Sequence, residues 1–212
     1  MKLSLNEVDA VGRKAARGAG LPWGLAEEAG RAARWLAERG LPGPAALAGA
    51  LQALDGAEPA VHAPRCEEGV WQASPGPLSP FAVGAALWDR ATDAPETPVR
   101  LGPCLWPVLL LPYAGWIAQA RGRAVALTAA GLSATVGPEG ALDWEGDPLL
   151  PRIDALTLAP SAPPPRAEAL CTQAEVAPDI AAALDALGHR TYAPATEASR
   201  LAGAGAGLTD ND

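Results

Sequence analysis

Residues 4–20 read SLNEVDAVGRKAARGAG, and this stretch contains a complete helix with both of its ends. Ser4 and Glu7 have the spacing of a capping box, in which each side chain binds the backbone amide of the other residue. Behind this cap, apolar residues recur with helical spacing on one face: Leu5, Val8, Val11 and Ala15. The helix is predicted to end near Arg17, because two glycines and Pro22 follow it.

Two more helices are predicted directly after this one. Residues 23–39 carry an apolar stripe and are followed by Gly40, which suits the left-handed position after a helix. Residues 44–54 form the third helix, which ends at Asp55-Gly56. We therefore expect residues 1–56 to form an N-terminal three-helix unit.

The remainder, residues 57–212, is predicted to be an α+β region with a mostly antiparallel sheet. Ser79-Pro80 begins one helix in an otherwise irregular, proline-rich stretch over 57–103, and Pro178-Asp179 begins a C-terminal helix. Short strands separated by turn signals are predicted at residues 105–117, 123–128, 132–136, 152–158 and 168–172. The expected fold class is α+β, with the helical bundle packed against the sheet, and the two regions together are expected to form one domain.

Composition excludes several classes of function. The chain has 212 residues, with 16 basic and 24 acidic side chains, so its net charge of −8 does not predict nucleic-acid binding. No apolar run reaches the 18 residues of a membrane span, and the first residues do not resemble a secretion signal. The three cysteines are widely spaced. We therefore expect a cytoplasmic protein without membrane association.

Catalytic and metal-binding motifs are scarce. His62 with Cys66, Glu67 and Glu68 is the nearest approach to a ligand cluster, but a structural zinc site needs a second ligand pair. A solvated loop is the preferred interpretation, so neither a metal nor a cofactor is predicted. The motifs of serine hydrolases, phosphate-binding loops and dinucleotide folds are missing.

The first candidate binding site lies in the C-terminal polar segment. This segment concentrates arginine, hydroxyl and acidic side chains in a chain dominated by alanine: Arg190, Tyr192, Glu197, Ser199, Arg200, Asp210 and Asp212. Arginines at two of these positions are suited to binding a carboxylate. The alternative is structural: a surface helix near residues 195–201, followed by a frayed tail.

The second candidate is the join between the first two helices. Arg17 and Trp23 flank a Gly- and Pro-containing turn there. An indole beside such a turn can cover an apolar ligand, whereas its alternative role is that of a packing anchor.

Both ends of the chain carry motifs that support a resemblance. Leu3-Ser4-Leu5-Asn6-Glu7, Lys14 to Gly20 and Trp23 to Ala29, together with the closing Arg190-Thr191-Tyr192 and Ser199-Arg200, resemble an uncharacterised proteobacterial family of unknown function. The resemblance implies a cytoplasmic bacterial protein and supplies no reaction.

A fainter resemblance involves residues 1–40, which are similar to the opening helices of the malate/L-lactate dehydrogenase family that includes ureidoglycolate dehydrogenase. That family continues with a Ser-His-Gly segment that supplies active-site groups. Here residues 40–43 read GLPG, without Ser or His, and the chain is much shorter.

Three classes of function remain open from the sequence, of which the third is a structural subunit whose tryptophan-bearing surface packs on a larger assembly. The first is a small-molecule-binding or accessory protein, whose partner is a small anionic metabolite or an enzyme. The alternative is a metabolic enzyme, a lyase, isomerase or hydrolase acting on a small anionic metabolite, with Tyr192 or Glu197 carrying the proton. A homo-oligomer is compatible with either.

Overall fold

The predicted capping box is present in the computed structural model of the chain, which describes residues 1–91, 97–164 and 169–192. The amide of Ser4 donates to Glu7 Oε2 at 2.7 Å, and the amide of Glu7 donates to Ser4 Oγ at 3.3 Å. The pKa of the Glu7 carboxyl is lowered because it accepts this bond from the Ser4 amide. The cap begins the first of six described helices: α1 (Leu5–Gly18), α2 (Trp23–Glu38), α3 (Gly43–Leu54), α4 (Pro80–Asp89), α5 (Leu111–Arg121) and α6 (Pro178–His189).

Eleven strands are described, all of them short. They are β1 (Lys2–Ser4), β2 (Arg65–Glu67), β3 (Val70–Gln72), β4 (Val99–Leu101), β5 (Cys104–Leu105), β6 (Ala124–Ala129), β7 (Leu132–Val136), β8 (Leu142–Gly146), β9 (Arg152–Ile153), β10 (Leu156–Ser161) and β11 (Gln173–Glu175). Seven form one sheet in the order β2-β3-β4-β10-β6-β7-β8, antiparallel except between β3 and β4. The pairs β1–β11 and β5–β9 form two separate ribbons. The α+β class and the mostly antiparallel sheet are confirmed.

Helix α5 lies between the sheet and the helices. It packs against β6 and β7 on one side and against α2 and α4 on the other. Tyr113 of α5 is almost completely buried, as are Leu127 of β6 and Leu36 of α2. The opposite face of the sheet carries short polar side chains such as Thr128 and Ser133, which are exposed. One core therefore spans the helical layer and one sheet face.

Helices α1 and α2 approach closely because each has a glycine at the crossing. A Cβ atom at Gly12 would lie 3.1 Å from the Cα of Gly30. A Cβ atom at Gly30 would lie 2.6 Å from the carbonyl oxygen of Asp9. Small residues at this contact fix how α1, and the side chains on its outer face, sit on the rest of the protein.

The structure corrects the strand prediction at residues 105–117. Only Leu105 belongs to a strand; Pro107–Leu110 is a 3₁₀ turn, and α5 follows. Pro112 occupies the first turn of α5, where a proline lacks no helical hydrogen bond. A continuous apolar run is compatible with a buried strand or a buried helix, so its periodicity alone does not distinguish the two.

Two further predictions are corrected. The last strand is Gln173–Glu175 rather than 168–172, and residues 57–103 contain β2, β3 and β4 in addition to the expected α4. The boundary at residue 56 stays a prediction. Within the described ranges, no helix is both long and apolar enough to cross a membrane.

Candidate functional site

A basic groove runs along the outer face of α1 beside the C-terminal end of α6. Its volume is about 560 Å³, within the range of small-molecule sites. It is lined by Ala10, Arg13, Lys14, Arg17, Gly18, Trp23, Arg190 and Thr191. No acidic side chain is among these described lining residues, although the chain as a whole has a net charge of −8.

Arg17 and Trp23 form one wall of the basic groove. The guanidinium carbon of Arg17 lies 4.4 Å from the centre of the Trp23 ring, and Arg17 Nη1 donates to the carbonyl oxygen of Leu21. This bond satisfies a carbonyl in the turn after α1. Trp23 remains 67% exposed, so most of the indole surface is open to a ligand.

Lys14 also lines the groove, and it contacts Tyr192. The Lys14 ammonium donates to the Tyr192 hydroxyl and lies 3.9 Å from the centre of the Tyr192 ring. The Tyr192 ring also packs edge-on against His189. The two contacts hold the residues after α6 against α1.

Arg190 enters the groove from the end of α6. Its Nη1 donates to Asp55 Oδ1 at 2.6 Å, and this hydrogen bond lowers the pKa of the Asp55 carboxyl and raises that of the Arg190 guanidinium. Half of the Arg190 side chain is exposed. One donor of the guanidinium is therefore occupied within the chain, while others remain accessible.

The floor of the groove is set by Gly18. A Cβ atom at this position would lie 1.7 Å from the carbonyl oxygen of Leu187 in α6. Only glycine allows so close an approach of the two helices. The contact fixes the position of Arg190 relative to the basic side chains of α1.

Arg13 differs from the other three cations. Arg17 bonds a carbonyl, Lys14 a hydroxyl and Arg190 a carboxylate, whereas Arg13 has no hydrogen-bond or ion-pair partner in the described part of the chain. It is exposed and lies one turn before Arg17 on the same helix face. Like charges at this spacing destabilise a helix by about 0.2–0.5 kcal/mol, and a bound anion would remove that cost.

The structure thus brings the two sequence-predicted candidates together in one place. Arg17, Trp23 and Arg190 line the groove, and Tyr192 contacts Lys14 at its wall. The other predicted residues lie outside the described ranges: Glu197, Ser199, Arg200, Asp210 and Asp212. The sequence analysis missed Arg13 and included Lys14 only as the first residue of the predicted join, although three basic residues within five positions of one helix were a usable signal.

A pair of buried polar side chains, Glu28 and Tyr113, lies away from the groove. Glu28 Oε2 and the Tyr113 hydroxyl are buried without a hydrogen-bond partner among the described residues. Burial raises the pKa of Glu28, and burial together with the Glu28 charge raises that of Tyr113 well above its ordinary value. The buried carboxyl group therefore makes the stability of the protein depend on pH.

The region of the possible ligand cluster has other contacts. His62 Nδ1 lies 2.7 Å from the carbonyl oxygen of Pro77, while Cys66 is on β2. Over the described ranges, no group of three His, Cys, Asp or Glu side chains is placed to hold a metal ion.

Comparison with known proteins reaches only the N-terminal third of the chain. Residues 3–73 match a family described as a protein of unknown function, DUF3726. No curated protein and no solved structure matches. The matched segment includes Arg13, Lys14, Arg17 and Trp23, whereas Arg190 lies outside it. This part of the chain therefore resembles an uncharacterised family.

Proposed function

We propose that the protein binds a small anionic metabolite in the basic groove. The observation that carries the proposal is the convergence of Arg13, Lys14, Arg17 and Arg190 on one concave surface of an acidic chain. Charged donors bind carboxylate and phosphate oxygens more strongly than neutral donors do. Such a groove raises the local concentration of anions.

The four cations have distinct roles in this proposal. Arg17 and Lys14 are held in place by their own contacts and supply fixed positive charge. Arg190 offers the donors that Asp55 leaves free. Arg13 is the principal anion-binding residue, because no group in the described ranges competes for its guanidinium.

Phosphate and citrate are suitable first probes, titrated by calorimetry at low ionic strength. Replacing Arg13 by Gln should weaken binding at least about tenfold, since a hydrogen bond to a charged group contributes about 1.5–3 kcal/mol. Arg65→Gln on β2 removes the same charge at an exposed position outside the groove. It should change the affinity less than about twofold, as expected for an exposed charge without a contact. Equal affinities of the two variants would refute the proposal.

The proposal includes a location and leaves two alternatives in place. We infer a cytoplasmic bacterial protein; the free thiols of Cys66, Cys104 and Cys171 support a reducing compartment. An enzyme partner and a lyase, isomerase or hydrolase activity both stay predictions. Dehydrogenase activity is not proposed, because residues 40–43 lack the Ser and His of that family.

A further inference from the structure

An apolar cavity adjoins the basic groove at the turn between α1 and α2. Its volume is about 240 Å³, and Leu21, Leu25, Leu54 and Pro59 contribute to its lining. Leu21 and Leu54 are mostly buried side chains that expose only 8% of their surface. The cavity therefore presents a hydrocarbon surface next to a cationic one.

The same short stretches of chain line both spaces. Gly18 belongs to the groove and Ala19 to the apolar cavity. Leu54 and Gly56 line the cavity, while Asp55 between them binds Arg190 of the groove. The two spaces are therefore neighbours, bordered by the same α1–α2 turn and by the Asp55–Arg190 ion pair.

Two polar atoms of the residues that line the apolar cavity have partners within the chain. His62 Nδ1 bonds the Pro77 carbonyl oxygen, and Ser79 Oγ accepts from the Ala82 amide at 3.4 Å. Burying a polar ligand group without a hydrogen bond is unfavourable, whereas burying methylene groups is favourable. The cavity consequently suits a hydrocarbon chain better than a sugar or a second charged group.

We propose that the anion bound in the groove is amphiphilic, with a carboxylate or phosphate head at Arg13 and Arg17 and a short hydrocarbon tail in the apolar cavity. This inference rests on the proposed function, because it requires the head to bind in the basic groove. It identifies the ligand class as short- to medium-chain acids or alkyl phosphates.

The test compares a head alone, a tail alone and both together. The ¹⁵N-labelled full chain is titrated with acetate, octanol and octanoate and followed by NMR; octyl phosphate in parallel distinguishes the two headgroups. Each methylene that enters the cavity should strengthen binding about fourfold. Burial of only two of the six additional methylenes of octanoate already makes it bind about fifteenfold more tightly than acetate.

A matched pair of substitutions locates the tail. Ala57 lines the apolar cavity, whereas Ala60 is exposed and does not line it. Ala57→Leu should reduce octanoate affinity to that of acetate and leave acetate affinity unchanged, while Ala60→Leu should alter neither. Thermal unfolding of both variants confirms that they are folded.

Each failure has a different signature. Equal binding of acetate and octanoate, both weakened by Arg13→Gln, overturns the tail site and leaves the anion site standing. The absence of any anion binding overturns the proposed function itself. Binding of octanol as tight as that of octanoate, unaffected by Arg13→Gln, overturns the coupling of the cavity to the groove. Unchanged octanoate binding by Ala57→Leu places the tail elsewhere.

Discussion

Gly18 is where α6 meets the end of α1, so a single methyl group added there perturbs the geometry of the basic groove. In Gly18→Ala the new Cβ would lie 1.7 Å from the Leu187 carbonyl oxygen and 2.5 Å from its carbon. These are backbone atoms, which cannot move aside by changing a rotamer. Either α6 shifts away from α1, or the two helices deform.

The expected cost follows from two opposing effects. Overpacking costs about 1–3 kcal/mol, and a clash with backbone belongs at the upper end of that range. Alanine is a better helix former than glycine by up to about 1 kcal/mol. The net loss is about 2 kcal/mol, which lowers the unfolding midpoint of a chain this long by about 4–8 °C.

Gly24→Ala is the matched control. Gly24 lies in the first turn of α2, and no heavy atom outside its local backbone lies within 4 Å of an added Cβ. The unfolding free energy of the Gly24→Ala variant should stay the same or rise by up to about 1 kcal/mol. Thermal unfolding followed by circular dichroism measures both variants. If they unfold at the same temperature, the close α1–α6 contact does not exist as described, and Arg190 is not positioned by it.

Three further outcomes are expected. Glu28→Gln should stabilise the protein near neutral pH but not below pH 4.5. The pKa of Glu28 is raised in the folded protein, so the native carboxylate becomes unfavourable as the pH rises above the unfolded value of 4.5. Denaturant titrations of both proteins at the two pH values measure this, and an equal difference in unfolding free energy at both would contradict it. In the native state a thiol reagent should modify the exposed Cys66 and Cys171 but not Cys104, because burial raises the pKa of the Cys104 thiol to about 12. Mass spectrometry identifies the modified sites. Labelling of Cys104 at the rate of the other two cysteines would exclude a buried thiol. Deleting residues 203–212 should leave both the anion affinity and the unfolding midpoint unchanged, because the residues that line the groove all precede residue 192; calorimetry of the truncated chain measures the affinity, and a loss of binding would contradict this assignment of the site.

Local signals predicted five of the six described helices, whereas α5 was expected to be a strand. The Ser4–Glu7 box needs only four consecutive residues, and Ser79-Pro80 needs two, so both are readable without knowledge of the rest of the chain. Strand β1 shows the opposite case. Its three residues pair with Gln173–Glu175 at the far end of the sequence, and no local pattern encodes that pairing. Strands this short depend on partners distant in the chain.

The site was half predictable for the same reason. Arg17 with Trp23 and Arg190 with Tyr192 are visible as polar clusters in the sequence, but as two separate ones. They become one groove because the Leu187 carbonyl packs on Gly18. In the sequence, that glycine indicates only the end of a helix. Its second role depends on tertiary packing, which spacing along the chain does not reveal.

The basic residues of α1 and α6 also have a purely structural explanation. Arg13 is the residue that distinguishes this explanation from ligand binding. A helix C-terminus carries partial negative charge and favours nearby cations by about 0.3–1 kcal/mol within the last turn. Arg17 and Arg190 lie at the ends of α1 and α6, and both bond oxygen atoms of the chain. Arg13 lies before the last turn, four residues after Asp9 and four before Arg17, and its guanidinium has no described partner. The charge of the helix end therefore does not account for Arg13, and the affinity of the Arg13→Gln variant tests whether an anion does.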